Sequence, residues 1–236
     1  MREQYSNFSK VTEEYLKFIK SQEISGEPFR NKLEQLKNFY IPLSKMIYRN
    51  YSKRKKTLII GLSGGQGSGK STISQIIKIV LKEKFSLNAV AFSIDDFYKT
   101  LKDRKIMSKK VDKLFLTRGV PGTHDTKMLL NCLKSLKSKS IKKILIPKFY
   151  KSMDDRYKKS EWVKILKKPE VVIFEGWCVG AKAEKLSSLT KPINILEKLE
   201  DKDLIWRKKI NFELKNNYKK IFNLIDSLIF LKVPNF

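Results

Sequence analysis

The sequence predicts a three-layer α/β fold in which a mostly parallel sheet is covered by helices on both faces, with a helical extension in front. Three observations predict it. From about residue 56, short β-branched apolar runs alternate with segments of helical period. A glycine-rich turn joins the first such run to the first such helix. The residues before that turn carry helical spacing and no strand signal.

In order, Val11, Tyr15, Phe18 and Ile19 fall on one helical face, and Leu33, Leu36, Phe39, Tyr40 and Leu43 on another. Pro42 is expected to break one helix and begin the next, because it has no N–H to donate. Residues 1–55 therefore form the extension, packed on the core. The polar run NYSKRKK leads into the first strand, TLIIGL. A helix follows Ser71, with Ile73, Ile76, Ile77, Val80 and Leu81 at helical spacing. Then come AVAFSI, a helix near KMLLNCLKSL, KKILIPKF, VVIFEGW, a long amphipathic helix over about 200–226, and LIFLKV. Strands separated by helices make a parallel sheet, so residues 56–236 read as one domain without repeats. In such sheets ligands lie beyond the carboxyl ends of the strands.

Composition narrows the chemistry. A chain of 236 residues with 41% hydrophobic content can bury a sizeable core. No apolar run approaches the roughly 18 residues needed to span a bilayer, and the first residues are too polar for a signal peptide. A cytoplasmic protein without a membrane partner is expected. Cys132 and Cys178 have no metal or redox spacing. A single histidine excludes a multi-histidine metal site, which leaves oxygen ligands and favours Mg²⁺. Lys and Arg number 51 against 24 Asp and Glu, a formal charge of +27. The lysines are scattered rather than gathered with aromatics on one stripe, so attraction of small anions is expected ahead of nucleic-acid binding.

The stretch GLSGGQGSGKST, Gly61–Thr72, is the most specific signal. Between a buried strand and a helix, its backbone N–H groups from Gly65 to Lys70 can converge on an anion at the helix N-terminus. Gly64, Gly69, Lys70 and Ser71 meet the pattern G-x-x-x-x-G-K-[ST], so a P-loop NTPase fold is predicted. Gly64, Gly65, Gln66, Gly67, Ser68, Gly69, Lys70, Ser71 and Thr72 are expected to hold the phosphates of ATP, with Lys70 at the β and γ phosphates and Ser71 on Mg²⁺.

The strand ends supply the rest. Asp95 follows AVAFSI, where a carboxylate can accept a hydroxyl proton. Asp96 beside it either caps the turn or meets substrate, and Tyr98 of the same segment is a further candidate to meet substrate. Glu175 directly follows VVIF, the position of an acid that holds Mg²⁺ directly or through water. In TRGVPGTHDTK, Pro121 and Gly122 suit a type II turn. Asp125 or Thr126 caps the next helix, with Asp125 equally able to meet substrate. Arg118 and His124 on that loop are candidates for an anionic or hydroxylated substrate. Lys148, Lys151 and Arg156 follow another strand. Arg156 either grips phosphate or carboxylate bidentately or balances Asp154 and Asp155. The guanine-reading N-K-x-D pattern is missing, and an acid with a cationic second subsite favours a kinase, which needs placement and charge neutralisation above all.

GGQGSGKST, SIDDFYKT, RGVPGTHD, PKFYKSMDDR and VVIFEGWCVG, in this order, resemble the D-glycerate 3-kinases within the phosphoribulokinase and uridine kinase superfamily. The resemblance runs from about Pro42 to the end. It implies ATP and D-glycerate giving ADP and 3-phosphoglycerate with Mg²⁺, with Asp95 as base and Arg118, His124 and Asp125 at the substrate. It also implies a further helix carrying Trp-Arg past LKVPNF, a lid over the nucleotide expected to be lacking here. The alternatives are a nucleoside or other metabolite kinase of the same fold, and a basic nucleotide-binding protein acting on nucleic acid.

Overall fold

The computed structural model describes residues 2–24, 28–140 and 143–232. Lys142 at the head of KKILIPKF and the closing VPNF lie outside the described residues. The helices α1 (Arg2–Gln22), α2 (Lys32–Gln35) and α3 (Ile41–Arg54) precede β1 (Leu58–Gly64) and α4 (Lys70–Phe85). Next come β2 (Ala89–Ser93), α5 (Leu101–Lys110), α6 (Thr126–Lys137) and the short strands β3 (Ile144–Ile146), β4 (Phe149–Tyr150), β5 (Asp155–Arg156) and β6 (Val163–Ile165). The chain continues through β7 (Val171–Gly176), α7 (Ile195–Glu200), α8 (Ile205–Glu213), α9 (Lys219–Phe222) and β8 (Ser227–Leu231).

The central sheet has the order β2-β7-β1-β8, and every pairing is parallel. The two middle strands, β1 and β7, are buried along their whole length, as continuous apolar runs require. In register, Leu62 of β1 faces Glu175 of β7, and Glu175 faces Ser93 of β2. One line across the sheet thus joins the start of the phosphate loop, the acid of β7 and the turn after β2. On one face Ile59, Phe92, Val172 and Phe174 pack against Leu129, Leu133 and Tyr218. On the other, Ile60, Leu62 and Ile173 pack against Ile77 and Leu81 of α4 and Ile47 of α3. No helix among the described residues is long and apolar enough to cross a membrane.

The N-terminal helices lie on α4: Val11, Tyr15 and Ile19 are buried with Ile76 and Val80. Pro42 stands at the start of α3, yet the chain never leaves helical geometry. A π turn over Leu36–Tyr40 links α2 to α3 and absorbs the proline. The wider turn also rotates the buried face, which becomes Leu36, Tyr40, Ser44 and Ile47. Leu33 and Phe39, expected on it, are 55% and 46% exposed.

Two further expectations change. KKILIPKF does not join the parallel sheet: β3 pairs antiparallel with β6, and Pro147 follows directly, where a ladder donor would be missing. The long helix expected over 200–226 is divided. Leu204 takes a left-handed conformation at φ 63°, and the Asp201 carboxylate accepts from the N–H groups of Trp206 and Arg207, starting α8 afresh.

Candidate active site

The phosphate loop begins where β1 ends. Gly67 and Gly69 both have φ 78°, a conformation that favours glycine, and Gly69 is the N-cap from which α4 starts. Lys70 Nζ folds back to the carbonyls of Gly64, at 2.9 Å, and Gly65, at 2.7 Å. Not every loop N–H faces inward as expected. That of Ser68 donates to Gly65 O at 3.3 Å, and the Ser68 hydroxyl reaches the same oxygen at 2.7 Å. Ser71 Oγ donates to Glu175 Oε1 at 3.0 Å, so the two expected metal-holding residues are brought together. Burial raises the carboxyl of Glu175 above its ordinary value, and Asp95 pushes the same way, while Ser71 and Lys70 oppose the rise.

Asp95 and Asp96 separate in role. Ser93 caps a 3₁₀ turn over Ile94–Phe97. Its Oγ accepts from the N–H of Asp95 at 3.2 Å, and Asp96 Oδ2 accepts from the N–H of Ser93 at 3.0 Å. Asp96 is therefore a half-buried capping acid, pushed up to about 6 chiefly by burial, with its Oδ2 taken by the turn itself. Asp95 is partly exposed. Tyr98 OH donates to its Oδ1 at 2.9 Å, and Lys151 Nζ lies 3.4 Å from its Oδ2. This turn rests directly on Gly176, where an added Cβ would come within 2.4 Å of Ile94 Cγ2. Glycine there is what lets Asp95 approach Glu175.

Tyr98 and His124, expected to touch substrate, are instead buried behind the cleft. Their rings stack at 4.5 Å and 20°, and His124 has no exposed surface. Tyr98 also meets Phe149 edge-on and His124 meets Tyr218 edge-on, so each acts on its neighbours. The Pro121-Gly122 turn forms as expected, with Thr123 N–H donating to Val120 O at 3.1 Å. Asp125 caps α6, accepting from Met128 N–H at 3.0 Å, and its other oxygen accepts from Arg156 at 3.1 Å. Arg156 also donates from Nε to Tyr98 O at 2.7 Å, so it binds the two segments together and its partner is Asp125 rather than Asp154 or Asp155. Arg118 pairs with Asp154 and lies 5.5 Å over the Phe149 ring. Lys148 sits 5.2 Å over the Tyr157 ring.

Four further residues shape the site. Arg104 is fully buried and donates to the carbonyls of Leu116 and Asp154, both at 2.6 Å, with the Asp154 carboxylate at 2.9 Å. Asp154, left-handed at φ 54°, thereby holds Arg104 and Arg118 together. Trp177 is 47% exposed at the mouth, and its indole N–H donates to Gly119 O at 3.0 Å. Tyr218 reaches the same loop from behind. Trp177 follows Glu175 so closely that EGW itself was a signal. The others have partners tens of residues away.

The donors around Ser71 and Glu175 are oxygens, which suits a hard divalent cation. Among the described residues no three His, Cys, Asp or Glu side chains cluster as a metal cage.

A model of the phosphoribulokinase/uridine kinase family matches residues 59–235. Over 188 residues the chain is 36% identical to an uncharacterized kinase, mug58, of Schizosaccharomyces pombe, covering 75% of this chain and 65% of that protein. Over 133 residues it is 33% identical to the chloroplastic D-glycerate 3-kinase of Arabidopsis thaliana, covering 53% of this chain and 29% of that one. The solved structure of D-glycerate 3-kinase from Cryptococcus neoformans superposes with a TM-score of 0.69 at 24% identity, over 81% of this chain and 72% of that chain, a likeness of fold. The chain spans less than two thirds of the length of these curated relatives.

Proposed function

Because the chain belongs to the phosphoribulokinase/uridine kinase family, we propose that it transfers the γ-phosphoryl group of ATP to a hydroxyl of a small carboxylate, D-glycerate, giving 3-phosphoglycerate. One observation carries the reading. The loop lysine, the Ser71–Glu175 pair and a partly exposed Asp95 converge at the carboxyl edge of the sheet, beside the register line of Leu62, Glu175 and Ser93. The Arabidopsis relative, a D-glycerate 3-kinase, supports glycerate as the acceptor.

In this reading residues 56–236 are the catalytic unit, and the helices before them buttress α4. The loop amides and Lys70 bind the triphosphate, the lysine exchanging the Gly64 and Gly65 carbonyls for phosphate oxygens. Asp95 accepts the proton of the acceptor hydroxyl as its oxygen bonds to the γ-phosphorus and the bond to the β,γ-bridging oxygen breaks. Tyr98 and Lys151 orient that carboxylate. Ser71 and Glu175 would hold Mg²⁺, which supplies charge neutralisation on the phosphate oxygens. Arg118, the more exposed of the two arginines, pairs with the acceptor carboxylate, and Arg156 holds the walls of the subsite together.

The test is ADP release with glycerate, uridine, ribulose 5-phosphate and pantothenate as acceptors. Glycerate should be turned over best, and Lys70→Ala should abolish turnover. Arg118→Ala should raise the glycerate KM by about 10- to 100-fold, the worth of a charge-assisted hydrogen bond. Preference for another acceptor, or an unchanged KM in that variant, overturns the glycerate assignment.

A further inference from the structure

The loop that carries Arg118 and Asp125 is strapped to the turn that carries Asp95. Lys99 N–H donates to Thr123 O at 2.8 Å, and Asp125 N–H to Phe97 O at 2.7 Å. Lys99 Nζ reaches the carbonyls of Gly122 and His124, both at 3.0 Å. A third strap comes from a distant part of the chain. Tyr218 closes the π turn Leu214–Tyr218 between α8 and α9, and its side chain is fully enclosed. Its hydroxyl oxygen accepts from Gly122 N–H at 2.9 Å and lies 2.6 Å from His124 Nδ1.

The proton inventory at that hydroxyl favours one arrangement. A phenol has a single proton, and Gly122 already donates to its oxygen. Burial keeps the imidazole neutral, holding it down to about 3. Were Nδ1 to donate as well, the phenol oxygen would accept twice and the phenol proton would be left buried without an acceptor; the neutral ring therefore takes that proton at Nδ1, and its own sits on Nε2. Nε2 is buried and has no hydrogen-bond partner among the described residues. The same ring lies flat on Tyr98, whose hydroxyl fixes Asp95.

We propose that Tyr218 is a positioning residue for phosphoryl acceptance: its hydroxyl pins Gly122, locks His124 as the Nε2–H tautomer, and so holds the Arg118 loop and the Tyr98 that orients Asp95. The proposal rests on Asp95 being the base, as above. It makes the α8–α9 region part of the acceptor site. The π turn belongs to the same design, since the local widening of such turns recurs where a helix must deliver a side chain to a functional site.

Tyr218→Phe removes one oxygen and leaves the ring packed against His124 and Phe222. Histidine-labelled protein gives an independent readout, because His124 is the single histidine of the chain. In wild-type protein, ¹⁵N spectra should show one neutral tautomer with the proton on Nε2, and in Tyr218→Phe a mixture of tautomers. The variant's kcat/KM for the acceptor should fall by about 10- to 100-fold, mainly through kcat, since a misplaced reacting group costs rate steeply. KM for ATP should stay within about twofold, which a general loss of packing would not respect. A wild-type proton on Nδ1 overturns the proposal, as does an acceptor kcat/KM within about twofold of wild type in the variant. If wild-type protein turns over no acceptor, the kinase reading fails on that result, and the tyrosine lock is then judged by the wild-type spectrum, which needs no substrate and does not depend on the variant folding.

Discussion

His124, enclosed by Tyr98, Tyr218 and the loop backbone, can gain charge only as the fold opens around it. Burial first, and Lys99 second, hold it down to about 3 against an ordinary 6.5. Below 6.5 the unfolded chain therefore binds a proton that the folded chain refuses until about 3. Stability from this residue is complete above pH 6.5 and is lost as pH falls, by about 1.4 kcal/mol per unit. In urea unfolding between pH 6.5 and 5, wild-type protein should lose about 2 kcal/mol more than His124→Gln. Equal losses would mean that the ring is already charged in the fold. The neighbouring acids carry a lesson about what sequence reveals. The pair Asp95-Asp96 points to a carboxylate at the tip of β2, but choosing between them depends on Ser93, whose hydroxyl and backbone N–H claim the turn and turn Asp96 inward. That cap is a short-range pattern, three residues from Ser93 to Asp96, and was open to reading. The burial of His124 was not, because it depends on Tyr218, 94 positions away.

At the level of elements, strand, loop and helix around Gly61–Thr72 were legible because every determinant is local: an apolar run, glycines and a helical period. The π turns were not. A single widened turn changes which side chains face inward while the composition of the helix stays the same, so Leu36 and Tyr40 are buried where Leu33 and Phe39 were expected with them. The break at Leu204 likewise depends on Asp201 and Glu197 meeting the buried Arg207. Among the helices, α1 buries Val11, Tyr15 and Ile19 against α4, with Leu16 and Phe18 packed beside them. Ile19→Ala should cost about 2 to 4 kcal/mol, the usual toll of a buried cavity, with KM for ATP unchanged, as measured by chemical unfolding and ADP release. A large rise in that KM would instead make α1 part of the nucleotide site.

For the whole molecule, the order β2-β7-β1-β8 gathers the ends of β1, β2 and β7 at one edge, and the alternation of strands and helices announced as much. It did not announce the small pairings β3 with β6 and β4 with β5, which stand outside the main sheet. The chain as a whole carries a formal charge of +27. Raising salt from about 0.01 to about 0.1 M shortens the screening length from about 30 to about 10 Å, so apparent KM values for ATP and the acceptor should rise together. Values independent of salt would rule out long-range capture of the anions. The alignment of Leu62, Glu175 and Ser93 has a last implication. Because the nucleotide side and the acceptor side are fastened to one plank, any tilt of that plank carries both at once and leaves their spacing alone. Whatever opens and shuts during turnover must therefore be the loops hanging from its rim.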